Sequence, residues 1–76
     1  MDVVKVYSTP TCPYCIQAKD YLKKKNISFE DIDVTKDESK AQEMINLTGQ
    51  MGVPVIVVND EVIIGFDRNR LSELFD

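Results

Sequence analysis

The chain contains two cysteines, Cys12 and Cys15, separated by Pro13 and Tyr14. A disulfide closing so short a loop restricts the unfolded chain little, so it cannot staple a fold. The pair is therefore chemically active, part of a metal site, or two incidental buried thiols. The complete lack of histidine narrows the chemistry. There is no Cys-His or Ser-His dyad, no H-E-x-x-H metal helix and no Cys/His zinc finger. Zinc takes about four ligands, so the other two would come from carboxylates or a second chain. An iron–sulfur cluster held by four thiolates would have to bridge two chains. Thiol–disulfide exchange needs only the two cysteines, which suits a C-x-x-C placed near a strand–helix–strand unit. Residue 12, beside a proline where a loop meets a helix, is a poor position for an inert core thiol.

The elements that must position this pair are legible from the pattern. Val3 to Ser8 is β-branched and aromatic and reads as a first strand. Ser8-Thr9-Pro10-Thr11 is a loop of turn and cap residues. Pro13 suits the first turn of a helix, where its missing N–H is not needed. Cys15, Ala18, Tyr21 and Leu22 then recur at helical spacing, with Gln17, Lys19, Asp20, Lys23 and Lys24 on the opposite face. That helix ends near Lys25-Asn26. Ile27 to Val34 reads as a second strand with a break of parity near Asp31. Thr35 and Glu38 fit a capping box for a second helix carrying Ala41, Met44, Ile45 and Thr48 inward and stopping at Gly49. Val53 to Val58 is a third strand, Asn59-Asp60 a hairpin turn, and Glu61 to Ile64 a fourth strand broken by Gly65. Asp67 caps a last helix that buries Leu71, Leu74 and Phe75.

The order β-α-β-α-β-β-α requires a parallel crossover followed by an antiparallel hairpin. The expected fold is α/β, a four-stranded mixed sheet with helices on both faces. Cys12 falls where the first loop enters the first helix, and free N–H groups and the positive end of the helix dipole favour an anion there. Cys15 lies close to one helical turn further on and faces inward. The asymmetry makes Cys12 the attacking thiol and Cys15 the one that resolves the mixed disulfide. Pro54 opens a buried strand, where the ladder loses a donor. It is either a trans proline at a strand's first position or a cis proline. In the cis case, Val53 would present its N–H and C=O to an extended peptide beside the cysteines.

Composition sets the boundaries. With 76 residues, 43% of them hydrophobic and 29% charged, the chain reads as one globular domain over 1–76. A net charge of −4 argues against nucleic acid, which needs a basic face. Met1-Asp2-Val3-Val4-Lys5 has no basic leader pattern, and the apolar run Val53 to Val58 is far short of the about 20 residues of a membrane span. A cytoplasmic, monomeric protein with no membrane partner is expected.

Tyr7-Ser8-x-x-Thr11-Cys12-Pro13-Tyr14-Cys15, Thr48-Gly49-Gln50-x-x-Val53-Pro54 and Gly65-Phe66-Asp67 together resemble the glutaredoxin family over nearly the whole chain. The resemblance implies a minimal thioredoxin fold, a cis Pro54 and a dithiol redox cycle at Cys12 and Cys15. No tightly bound cofactor or metal is implied; glutathione would be reductant and co-substrate. Pro13 and Tyr14 would flank that tripeptide, and Val53 with Pro54 would pair with its cysteinyl backbone. Gln50 would approach its glycine carboxylate, while Gly65, Phe66 and Asp67 would hold the γ-glutamyl end. A carboxylate at a helix N-terminus has a physical basis. The partners implied are disulfide-containing or glutathionylated proteins.

Three positions depart from the family's glutathione-using pattern. Thr9-Pro10-Thr11 carries no basic residue before Cys12, Ile64 stands where many members have a second glycine, and Arg68 follows Asp67 where an acid is common. Arg68 has no acceptor for an ammonium group. The Gly65-Phe66-Asp67 turn is also similar to that of glutaredoxin-like redoxins reduced by thioredoxin reductase or a related flavoprotein, which is the second reading. A dimer bridged by an iron–sulfur cluster is the third.

Overall fold

Alternation of side chains along the first strand sets up the two-sided core. In the computed structural model, which describes residues 3–75, β1 spans Val4–Ser8 and lies inside a sheet of order β2-β1-β3-β4. Met1 and Asp2 of the N-terminal stretch read above, and Asp76, lie outside the described residues. β2 (Glu30–Asp33) pairs parallel to β1, with Lys5 opposite Glu30 and Ser8 opposite Asp33. β3 (Val55–Val58) is antiparallel to β1, Val4 opposite Val58, and β4 (Glu61–Ile64) closes the hairpin with Val58 opposite Glu61. The mixed four-stranded sheet expected from the element order is present.

The helices α1 (Pro13–Lys24), α2 (Glu38–Thr48) and α3 (Arg68–Phe75) cover the two faces. On one face Val4, Val6, Ile56, Val58 and Ile63 meet Ala18 and Leu22 of α1 and Leu71 of α3. On the other, Tyr7, Ile32 and Val55 meet Met44 of α2. The period of two along each strand delivers one set of residues to each layer. Leu74 and Phe75 are half-buried against the α1 and α3 side. Among the described residues no helix is long and apolar enough to cross a membrane.

Three boundaries differ from the expectation, each for a local reason. The second strand starts at Glu30 rather than Ile27, because α1 ends in a Schellman arrangement. Ile27 N–H donates to Leu22 O at 2.9 Å, Asn26 N–H to Lys23 O at 3.0 Å, and Asn26 sits at φ 59°. Ile27 and Phe29 pack on the α1 face while Ile32 and Val34 pack on the α2 face, so the parity break is a change of layer. The cap of α2 is Asp37, not Thr35. Asp37 Oδ1 accepts from Ser39 N–H at 3.0 Å, whereas the Thr35 hydroxyl donates to Asp33 Oδ1 at 2.6 Å and is committed to that turn. The third strand opens at Val55, with Val53 and Pro54 in the preceding loop. Gly49 and Gly65, at φ 73° and 82°, end α2 and β4 in the left-handed region, as their placement predicts. A Cβ would meet nothing nearby at either position, so the backbone angle is what selects glycine.

Candidate active site

Cys12 is the N-cap of α1. Its backbone is extended, at φ −88° and ψ 113°, and its Sγ accepts a hydrogen bond from Cys15 N–H at 3.2 Å. Pro13 occupies the first helical position, where no N–H is required. The Cys12 carbonyl already accepts from Ile16 N–H at 3.1 Å, so the residue is half inside the helix. On its other side the thiol donates to the carbonyl of Val53, 3.8 Å away across the sheet end. The Val53–Pro54 peptide bond is cis, which decides between the two alternatives the sequence left open. Pro54 is buried, and its carbonyl accepts from Gly65 N–H at 2.8 Å, tying the Val53 loop to the end of β4.

The two thiols are free and occupy different surroundings. Cys12 is half-buried, whereas Cys15 has no exposed surface. Burial pushes the Cys15 thiol up to about 11, and its hydrogen bond with Cys12 acts in the same direction. Thr9's backbone and the charge of Lys19 oppose this rise. The asymmetry expected from the helical spacing is therefore present: an accessible sulfur in front and a hidden one behind it.

The residues assigned above to a tripeptide site divide into those the fold gathers near Cys12 and those it engages elsewhere. Val53 is against Cys12, and Tyr14 is 62% exposed beside it on the first turn of α1. Phe66 packs edge-on against Tyr21 of α1, with ring centroids 6.1 Å apart, which docks the Gly65–Asp67 turn on that helix. Asp67 caps α3 by accepting from Arg70 N–H at 3.1 Å. Gln50 folds onto its own loop: its Oε1 accepts from Gly52 N–H at 2.6 Å and its Nε2 donates to Gly52 O at 3.3 Å. A surface hollow of about 210 Å³ runs between α1 and the turn, lined by Gln17, Asp20, Tyr21, Lys24, Phe66 and Arg68. Neither cysteine lines it.

One group near the pair was placed wrongly by periodicity. Lys19, assigned to the outward polar face of the first helix, has a side chain only 19% exposed and pairs with Asp31 at 3.2 Å. Its spacing of four from Cys15 was readable in the sequence; its partner on β2 was not, because strand register is set by tertiary packing.

Comparison with known proteins agrees with this geometry. The family model described as Glutaredoxin matches residues 4–63. A glutaredoxin-like 8.6 kDa protein in the rubredoxin operon of Clostridium pasteurianum is 45% identical over 97% of this chain and 99% of its own length. Glutaredoxin 3 of Escherichia coli K12 is 38% identical over 84% of this chain and 77% of its own. Among solved structures, the glutaredoxin of Archaeoglobus fulgidus superposes with a TM-score of 0.87 at 29% identity, covering 97% of this chain and 86% of that one. An N-capping cysteine with a buried second thiol, a proline loop facing it, and these matches along the length lead to one assignment: the chain belongs to the glutaredoxin family of thioredoxin-fold redox proteins.

Proposed function

We propose that the protein is a dithiol thiol–disulfide oxidoreductase in which Cys12 attacks and Cys15 resolves, acting on protein disulfides and glutathione mixed disulfides. The observation that carries the reading is the placement of the two sulfurs. Cys12 Sγ is reachable and receives the Cys15 N–H at 3.2 Å, while the Cys15 sulfur is hidden behind it. In the forward reaction Cys12 thiolate attacks one sulfur of the substrate disulfide, and the departing thiolate takes a proton from water. Cys15, as thiolate, then attacks Cys12 Sγ, the second substrate thiolate leaves, and two electrons have passed from the dithiol to the substrate. Reduced glutathione closes the cycle by the same exchange in reverse. Cys12 Sγ thus meets a donor on one side, the Cys15 N–H, and an acceptor on the other, the Val53 carbonyl.

In this reading Pro13, Tyr14, Val53 and Pro54 form the face against which a peptide or tripeptide thiol lies. Gly65, Phe66 and Asp67 supply its far end, and no resident cofactor takes part. The protein works as a monomer in the cytoplasm. A second reading, reduction by a flavoprotein instead of glutathione, is favoured by two observations. The Gln50 amide is engaged by Gly52, and the exposed residue after Asp67 is the cation Arg68.

Steady-state reduction of a small glutathione mixed disulfide, coupled to glutathione reductase and NADPH, separates the two. Fast turnover that vanishes in Cys12→Ser supports the glutathione-dependent reading. No turnover from protein whose thiols still react with an aryl disulfide supports the flavoprotein-reduced one. Full turnover in Cys12→Ser would overturn the assignment of the nucleophile.

A further inference from the structure

A small polar network built from three elements gathers around Lys19 of α1. Ser8, at the end of β1, is 2% exposed and donates from its hydroxyl to Asp31 Oδ1 at 3.1 Å. Lys19 Nζ donates to Ser8 Oγ at 3.3 Å and to Asp31 Oδ2 and Oδ1 at 3.2 and 3.4 Å. Buried hydroxyls and partly buried ammonium groups are costly unless partnered, and here each partners the others. Lys19 lies four residues after Cys15 on α1, one helical turn away and on the same side of the helix. The network therefore fixes a cation one turn from the buried thiol.

We infer that Lys19 is a positioning residue for the exchange reaction: clamped by Ser8 and Asp31, it favours Cys15 as the thiolate that attacks the mixed disulfide on Cys12. This rests on the reading of Cys12 as attacking and Cys15 as resolving thiol. The groups that act on Cys15 are Cys12 on its own element, the Thr9 backbone from the preceding loop, and Lys19, with Asp31 of β2 behind the ammonium. Cys12 and burial oppose ionisation of Cys15, and Lys19 is the side-chain cation that opposes them. Asp31 holds Lys19 in place but also offsets part of its charge. The step balances as a displacement: Cys15 gives its proton to water, its sulfur bonds to Cys12 Sγ, and the Cys12–substrate bond breaks to release a thiolate that takes up a proton.

The opposite signs of Lys19 and Asp31 give a test that a merely structural role would not pass. Reduced protein is mixed with a symmetric aryl disulfide whose thiolate is coloured. The first coloured thiolate reports attack by Cys12, and the second reports displacement by Cys15. A unit of thiol acidity changes the thiolate fraction tenfold, and reduced nucleophilicity offsets part of this, leaving about threefold to fourfold in rate per unit. Lys19→Met is expected to slow the second release at neutral pH by about threefold to tenfold. Asp31→Asn is expected to accelerate that release, and Lys19→Arg to leave it near wild type. Should Lys19→Met fail to fold, the acceleration in Asp31→Asn still decides the matter. Slowing in both Lys19→Met and Asp31→Asn, or a change in neither, overturns the inference while the reading of Cys12 and Cys15 stands. A wild-type protein that releases only the first thiolate overturns both.

Discussion

At the start of α1 the cap is a sulfur, with Cys12 Sγ accepting from Cys15 N–H at 3.2 Å. At the start of α2 it is a carboxylate, with Asp37 Oδ1 accepting from Ser39 N–H at 3.0 Å and from the Ser39 hydroxyl at 2.6 Å. The carboxylate is a strong acceptor whose charge suits the positive end of the helix, whereas a thiol sulfur is a weak acceptor. The two helices can differ in this way because they are held differently. Cys15, Ala18 and Leu22 of α1 are all buried, whereas α2 fully buries only Met44. A helix fixed by its buried face can place a reactive atom at its cap position. A helix with less buried surface relies more on a good cap.

The largest effect that would sharpen this contrast comes from Cys12→Ser. Exchange should fall to the uncatalysed background, while unfolding stability stays within about 1 kcal/mol, because a serine hydroxyl caps at least as well as a thiol. A urea titration beside the coupled assay checks both. A large stability loss would mean that the sulfur anchors α1 and that the contrast is wrong.

The second effect is that the two helix starts should fail at opposite ends of the pH scale. Cys15 is raised from 9.0 to about 11, so its contribution to the reduced protein is fully present below pH 9 and is lost as pH rises through about 11. The loss is on the order of 2–3 kcal/mol. Urea midpoints of reduced wild type and Cys15→Ala should therefore converge across that interval. The Asp37 carboxyl is held below its usual 3.8, chiefly by the Ser39 hydroxyl and then by the Ser39 N–H. Its contribution is present above 3.8 and disappears as pH falls through the lower folded value, which the Ser39 amide resonance would follow.

The smallest effect is that of Asp37→Ala. Losing this cap should lower the melting temperature by about 4 to 8 °C, leaving the rate of thiol exchange unchanged. A matched change in exchange rate would show that α2 is coupled to the cysteine pair and that the two helix starts are not independent.

Much of this architecture was legible because it is written in short-range signals. The order of elements follows from periodicity, and Gly49, Gly65, Pro13 and Asp67 each act within a turn or two of themselves. Capping was readable as a need but not as an identity. Thr35, Asp37 and Glu38 all sit near the start of α2, and the choice of Asp37 depends on Asp33 having already captured Thr35. The start of β2 was set by the same kind of competition, since Ile27 serves the Schellman turn that ends α1 rather than a strand. Lys19 was misplaced because helical spacing separates polar from apolar faces and cannot show that a polar residue is met by a carboxylate from a neighbouring strand.

The sequence by itself determined the α/β order, the pairing of Cys12 with Cys15 at a helix entry, and the inward direction of Cys15. All of these depend on residues within about one helical turn of one another. Tertiary structure decided which distant groups surround that pair. Val53, separated from Cys12 by 41 positions, brings its carbonyl to the thiol, and the bond that follows Val53 is cis. Ser8 and Asp31 close on Lys19 only because β1 and β2 lie parallel with Ser8 opposite Asp33. Register is fixed by burying two opposite faces of the sheet at once, a condition that no local stretch of chain can impose.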